Sequence, residues 1–115
     1  MKRGEVWWVS FEPVSSSGPK TKAQPELTKE RPAVIMSNDS ANRFLNRVQI
    51  VPLSSQIDKI YPSEALVSLN GRSCKAMADQ LTTASKKRLS NLAGVLSESD
   101  MAAIEGAVRI QLSLQ

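Results

Sequence analysis

The spacing of the β-patterned stretches constrains this chain most, because no interval between successive stretches supplies a helix of roughly 10–15 residues. Gly4 to Phe11 alternates, with Val6 and Trp8 on one face and Trp7, Val9 and Phe11 on the other. Pro32 to Met36 is a continuous apolar run, the pattern of a strand buried on both sides. Val48 to Leu53 alternates again, with Pro52 marking a bulge or the end of pairing. Ala65–Leu69 and Lys75–Leu81 follow, and the Asn70-Gly71 pair between them is a tight-turn signal for an antiparallel hairpin. A parallel sheet built from βαβ units is excluded.

Helical signals are few. Asn38–Phe44 supports one helical turn, and Ser85–Leu89 supports another, capped by Ser85. A full helix is expected at the C-terminal end. Ser97 is its N-cap, Glu98 and Asp100 place negative charge in the first turn, and Met101, Ile104, Val108 and Leu112 form the apolar stripe. No internal repeat occurs. The 115 residues, 41% apolar and 23% charged, suit a single domain spanning 1–115. The expected fold is mainly β: a small, strongly bent antiparallel sheet closed or half-closed into a barrel, with a C-terminal α-helix packed on it.

The segment from Pro13 to Glu30 breaks this pattern, carrying Lys20, Lys22 and Lys29 with little to bury. Connections longer than about 12–15 residues are usually functional or disordered. Ser17-Gly18-Pro19-Lys20 matches the letters of a serine–lysine nucleophile motif. Gly18 and Pro19 deny it the helical turn that would bring lysine to serine. The Met1-Lys2-Arg3 start is followed by Gly4 and Glu5 and by an apolar run too short for a secretory leader, and no stretch has the length of a membrane helix. The lone Cys74 fits a reducing compartment, and the expected location is cytoplasmic.

Residue types set the chemistry. The chain has no histidine, which removes imidazole-dependent triads, paired-histidine nucleases and His-ligated zinc. Asp39, Asp58 and Asp79 stand singly, without the paired spacing that holds a hard cation, so neither a metal nor another cofactor is expected. Glu98 and Asp100 are the one close pair, read as charge at a helix start. Arg, Lys, Ser and Thr remain, against a net charge of +4 that suits a polyanionic partner. Such groups fit a phosphodiester that carries its own nucleophile. RNA is that substrate, through its 2′-hydroxyl.

The ordered blocks Lys2-Arg3-Gly4-Glu5-Val6-Trp7, Glu30-Arg31-Pro32-Ala33-Val34-Ile35, Ser37-Asn38-Asp39, Val51-Pro52-Leu53-Ser54-Ser55 and Asp79-Gln80-Leu81-Thr82 resemble the MazF/PemK/Kid family of toxin endoribonucleases. The resemblance covers nearly the whole chain. It implies an SH3-like barrel and a homodimer that cuts single-stranded RNA without metal and is neutralised by a cognate antitoxin. It also implies that Arg31 is the catalytic arginine, that Ser54 acts with it, and that Asp79 and Gln80 lie near the RNA; Ser55, Gln56 and Lys29 are further candidate RNA-binding residues. Two departures stand out: no histidine in the first long loop, and Thr82 where many members carry arginine.

Each residue also has a plainer reading. Arg31 suits a strand-edge ion pair with Glu30 or Asp39, and Ser54 and Ser55 suit a strand-end turn. Asp79, if buried, needs a basic partner. Trp7 and Trp8 face opposite ways, so one belongs to the core. Lys86-Lys87-Arg88 reads as a solvated cluster, and Cys74 as a small strand residue. Three functions therefore compete: a metal-independent endoribonuclease, a non-catalytic CcdB-like poison that binds gyrase, and a basic RNA-binding barrel without turnover. The Arg31-Pro32 block favours the first.

Overall fold

The computed structural model describes residues 1–11 and 30–115. Most of the long first connection, with Lys20, Lys22, Lys29 and the Ser17–Lys20 motif, lies outside the described residues. The elements run β1 (Glu5–Ser10), β2 (Glu30–Ile35), α1 (Asp39–Phe44), β3 (Arg47–Ser54), β4 (Glu64–Leu69), β5 (Arg72–Met77), β6 (Thr82–Ser85), β7 (Leu89–Val95) and α2 (Glu98–Leu112). All strand pairings are antiparallel, in the order β4-β5-β3-β2-β1-β7, with β6 added beside β3. The result is a curled half-barrel with one C-terminal helix.

Curvature concentrates at β3, which changes partner along one edge. Its first part, Arg47–Ile50, pairs with β6, whereas Leu53 and Ser54 pair with Ala76 and Lys75 of β5. Pro52, which has no N–H to donate, stands between these two stretches, where the ladder on that edge is already interrupted. Strand alternation then separates two cores. Val6, Val34 and Val51 form a cross-strand row buried with Ala76, Ile104 and Met101. Val9, Ala33, Ile35, Val48, Ile50, Ala84 and Leu89 form a second cluster, against which Trp7 and Phe11 pack.

Ser37, Asn38 and Asp39 clamp the β2–α1 junction. Asn38 caps α1 by accepting from the Ala41 N–H at 2.8 Å. Ser37 Oγ accepts from the Gln49 N–H at 3.0 Å, and Asp39 accepts from the Arg3 N–H at 2.7 Å. Asn42, only 1% exposed, is satisfied by the Ser37 hydroxyl, by the Ser37 carbonyl at 2.9 Å and by Asp39 at 3.2 Å. Arg3 bridges the Met36 carbonyl and Glu105 of α2, tying the helix to the sheet.

Several expectations require correction. The fifth strand ends at Met77, and Ala78–Gln80 is a 3-10 turn, because Ala78 buries against the helix-side core and its carbonyl accepts from the Leu81 N–H. β6 and β7 extend the sheet beyond the five expected stretches; Asn91 and Gly94 mask β7, whose pairing with β1 holds it as a strand. In α2 the buried positions are Met101, Ile104 and Ala107, with Val108 partly buried and Leu112 49% exposed. The stripe turns off the sheet before the helix ends. The turn signals hold: Asn70 (φ 54°) and Gly71 (φ 81°) form the hairpin turn, and Ser85 caps a 3-10 turn at Lys86–Arg88.

Candidate active-site cleft

The buried row Val6–Val34–Val51 has a continuation two residues along each strand. Trp8 pairs with Pro32. Both line a cavity of about 890 Å³, within the range of roughly 300–1,000 Å³ typical of ligand sites, and Leu53 borders it from the buried core. Arg31, Ser54, Ser55 and Gln56 line it, together with Leu69, Asn70, Arg72, Ser73 and Cys74 of the β4–β5 hairpin and Leu92 and Ala93 of β7.

Arg31 and Ser54 line the same cavity. The β2–β3 pairing runs from Ile35–Ile50 to Ala33–Pro52, and each of the two residues lies two positions beyond that last pair. Arg31 is exposed and, among the described residues, has no ion pair. Its two expected partners are engaged elsewhere: Glu30 accepts from the Ser90 hydroxyl at 2.9 Å, and Asp39 is held by Arg3 and Asn42. Ser54 Oγ accepts from the Gln56 N–H at 3.1 Å. This bond turns the chain into the Ser55–Gln56 loop and leaves the hydroxyl proton of Ser54 to donate elsewhere. The strand-end turn and the functional reading are therefore compatible.

Asp79 and Gln80 are not brought into this cleft. Both are exposed on the 3-10 turn, which packs beside α2, and Gln80 donates weakly to the Met77 sulfur at 3.6 Å. Asp79 makes no ion pair among the described residues. The two tryptophans divide as alternation requires. Trp7 packs on the second core and donates to Glu5 at 3.0 Å, while Trp8, 39% exposed, lines the cleft. Lys87 and Arg88 are exposed, as a solvated cluster requires, while Lys86 donates to the Asn42 carbonyl and Arg88 to the Ser10 carbonyl at 3.3 Å.

Sequence reasoning missed Asn70 and Arg72. Asn70 was visible only as a turn residue, and nothing in the order of residues showed that the hairpin tip closes on the cleft. Cys74 lines the same cavity, and its thiol is held above its ordinary pKa by burial and by the Asp100 carboxylate. Among the described residues there is no group of three His, Cys, Asp or Glu side chains spaced to hold a metal ion. None of their helices is long and apolar enough to cross a membrane.

A cavity lined by an exposed guanidinium, a hydroxyl and an exposed aromatic face can bind an anion. Known proteins show the same architecture. The chain is 33% identical to the endoribonuclease MazF9 of Mycobacterium tuberculosis, over 99% of this chain and 98% of that one. It is 28% identical to the endoribonuclease MazF of Staphylococcus epidermidis, over 99% and 92%. Among solved structures, a mycobacterial endoribonuclease in complex with its cognate antitoxin superposes with a TM-score of 0.77 at 21% identity, covering 100% of this chain and 97% of that chain. A MazE–MazF structure from Deinococcus radiodurans gives 0.74 at 19% identity, with 100% and 97% covered. Residues 2–112 match the family of PemK-like, MazF-like toxins of type II toxin–antitoxin systems, and the chain belongs to that family.

Proposed function

We propose that this chain is the growth-inhibiting toxin of a toxin–antitoxin pair, an endoribonuclease that cuts single-stranded RNA at specific sequences in the Arg31–Ser54 cleft. The observation that carries the reading is that Arg31, Ser54 and the exposed Trp8 line one cavity. Family membership and the names of its relatives support the substrate class.

The reaction needs no metal and no bound water. The 2′-oxygen attacks the adjacent phosphorus and loses its proton, the bond from phosphorus to the 5′-oxygen breaks, and the leaving oxygen takes up a proton. The products are a 2′,3′-cyclic phosphate and a 5′-hydroxyl. Charge builds on the non-bridging oxygens in the transition state. The planar, permanently charged fork of Arg31 suits those oxygens, and such a donor contributes roughly 10²–10³ in rate. The Ser54 hydroxyl donates to a phosphate oxygen or to the leaving oxygen. Trp8 offers a stacking face for a base, and Ser55 and Gln56 border the bound strand. Asp79 and Gln80 belong to RNA contacts outside the cleft, and Lys29 is a further RNA contact in this reading.

The working unit in this reading is a cytoplasmic homodimer, which doubles the net charge of +4 to +8. Exposed Ile110, Leu112 and Leu114 at the end of α2 supply apolar surface for association. An acidic antitoxin segment would fold onto the same basic groove. Incubating the pure protein with a long single-stranded RNA in EDTA tests the reading. Discrete cuts are expected; RNA left intact, with or without added magnesium, contradicts it.

A further inference from the structure

The cleft has a second cation that the proposed mechanism does not use. Arg72 opens β5 on the tip of the β4–β5 hairpin and lines the same cavity as Arg31 and Ser54. It is exposed and, among the described residues, has no ion pair. The other basic residue of this strand differs sharply. Lys75 donates to Glu64 at 3.1 Å and to the Lys59 carbonyl at 3.0 Å, so it is committed to the fold.

The tip bearing Arg72 is also fastened. Asn70 Nδ2 donates to the Ala93 carbonyl at 2.9 Å, tying the hairpin to β7. Gly94 makes the approach possible, since a Cβ there would stand 2.8 Å from Leu69 Cδ1 and 3.0 Å from Asn70 Oδ1. An exposed hairpin tip ordinarily has no reason to be held by a side-chain clasp and a close glycine. Here the clasp fixes the wall of the cavity and, with it, the base of the Arg72 side chain.

We propose that Arg72 holds a backbone phosphate of the bound RNA next to the one being cut, with Asn70 as its positioning residue. The inference rests on the ribonuclease reading of the same cleft and adds a second phosphate subsite to it. A single strand threading the cavity would then be gripped at two phosphates, by Arg31 at the reacting one and by Arg72 at a neighbour. Arg31 acts on the transition state; Arg72 acts on binding.

The test measures binding separately from cutting, using an all-2′-O-methyl RNA oligomer that cannot react, followed by fluorescence anisotropy across a salt series. Arg72→Gln should weaken binding about tenfold. It should also reduce the salt slope by about 0.7, the value of one lost phosphate contact on a single strand. Arg72→Lys should restore the slope, because it restores the charge. Asn70→Gly keeps the left-handed turn but removes the clasp, so it should weaken binding several-fold with the slope unchanged. An unchanged affinity and slope in Arg72→Gln overturns the proposal, as does a loss of affinity that Arg72→Lys fails to rescue. Failure of the wild type to cut ordinary RNA while binding the oligomer normally would sink the nuclease reading and leave the phosphate subsite standing.

Discussion

Arg31 of β2 and Ser54 of β3 line one cavity, each two residues beyond the Ala33–Pro52 pair. The strands that carry them are held in register by the buried pair Val34–Val51. A slip of one residue would turn both strands inside out and is excluded by that pair.

Changing Arg31 to Lys keeps one charge but loses the planar fork. Cleavage should fall roughly 10²-fold or more. Ser54→Ala should be milder, about tenfold, because only one hydrogen-bond donor is lost. The melting temperature of Arg31→Lys should stay near that of the wild type, since Arg31 is exposed and carries no described ion pair, whereas Ser54→Ala, which loses the bond from the Gln56 N–H, should melt slightly lower. Near-wild-type turnover by Arg31→Lys, measured under single-turnover conditions, would move the chemistry elsewhere.

Gly94→Ala should loosen the hairpin tip. The added methyl meets Leu69 and Asn70, and crowding of this kind costs about 1–3 kcal/mol, less where a flexible side chain moves aside. Denaturant unfolding should show a midpoint shift at unchanged slope. RNA affinity should fall together with stability, as the wall of the cleft is displaced. A fully stable Gly94→Ala protein with normal affinity would show that the close approach has no role.

Acid should unfold the protein from the N-terminal clamp and the β4–β5 hairpin. Asp39 lies below its ordinary pKa because the Arg3 N–H donates to its carboxylate. Glu64 is lowered by the Tyr61 N–H and by Lys75. Glu5 is lowered despite partial burial, by bonds from Trp7 and Lys2. In all three the folded form favours the carboxylate, so their contribution is present above the unfolded values near pH 4 and is lost as pH falls through the folded ones. Melting temperature should be flat from pH 7 to about 5 and should drop below about 4. Asp39→Asn should flatten that drop, and an unaltered acid limb in this variant would discount the clamp.

Light scattering should give a dimer. Replacing Ile110 and Leu112 by Lys should weaken association if the apolar end of α2 is buried in it. A monomer retaining full nuclease activity would contradict the homodimer as the working unit.

Much of this architecture was legible in the order of residues, and the reasons differ from place to place. Asn70-Gly71 announces its turn because few residue pairs accept two left-handed conformations. Ser97 and Ser85 announce their caps because their hydroxyls satisfy N–H groups that would otherwise be orphaned. Arg31 and Ser54 were found through the family-like blocks rather than through chemistry alone. β7 was hidden because Asn91 and Gly94 lack strand preference, and tertiary pairing overrode them. Asp79 and Gln80 were expected in a strand because the flanking residues are apolar. That apolarity belongs instead to a turn packed on α2. Arg72 was silent for a different reason. Its importance comes from a contact between Asn70 and Ala93, 23 positions apart, which no local pattern encodes.

The central claim is that the RNA supplies its own nucleophile in the Arg31–Ser54 cleft. The most direct measurement compares an RNA oligomer containing the cut sequence with the same oligomer carrying a single 2′-deoxy nucleotide on the 5′ side of the scissile bond, both in EDTA, with end-group analysis by mass spectrometry. The account predicts a 2′,3′-cyclic phosphate and a 5′-hydroxyl from the first, and no cleavage at that bond in the second. Efficient cutting of the deoxy-substituted bond, or products ending in a 5′-phosphate, would contradict it.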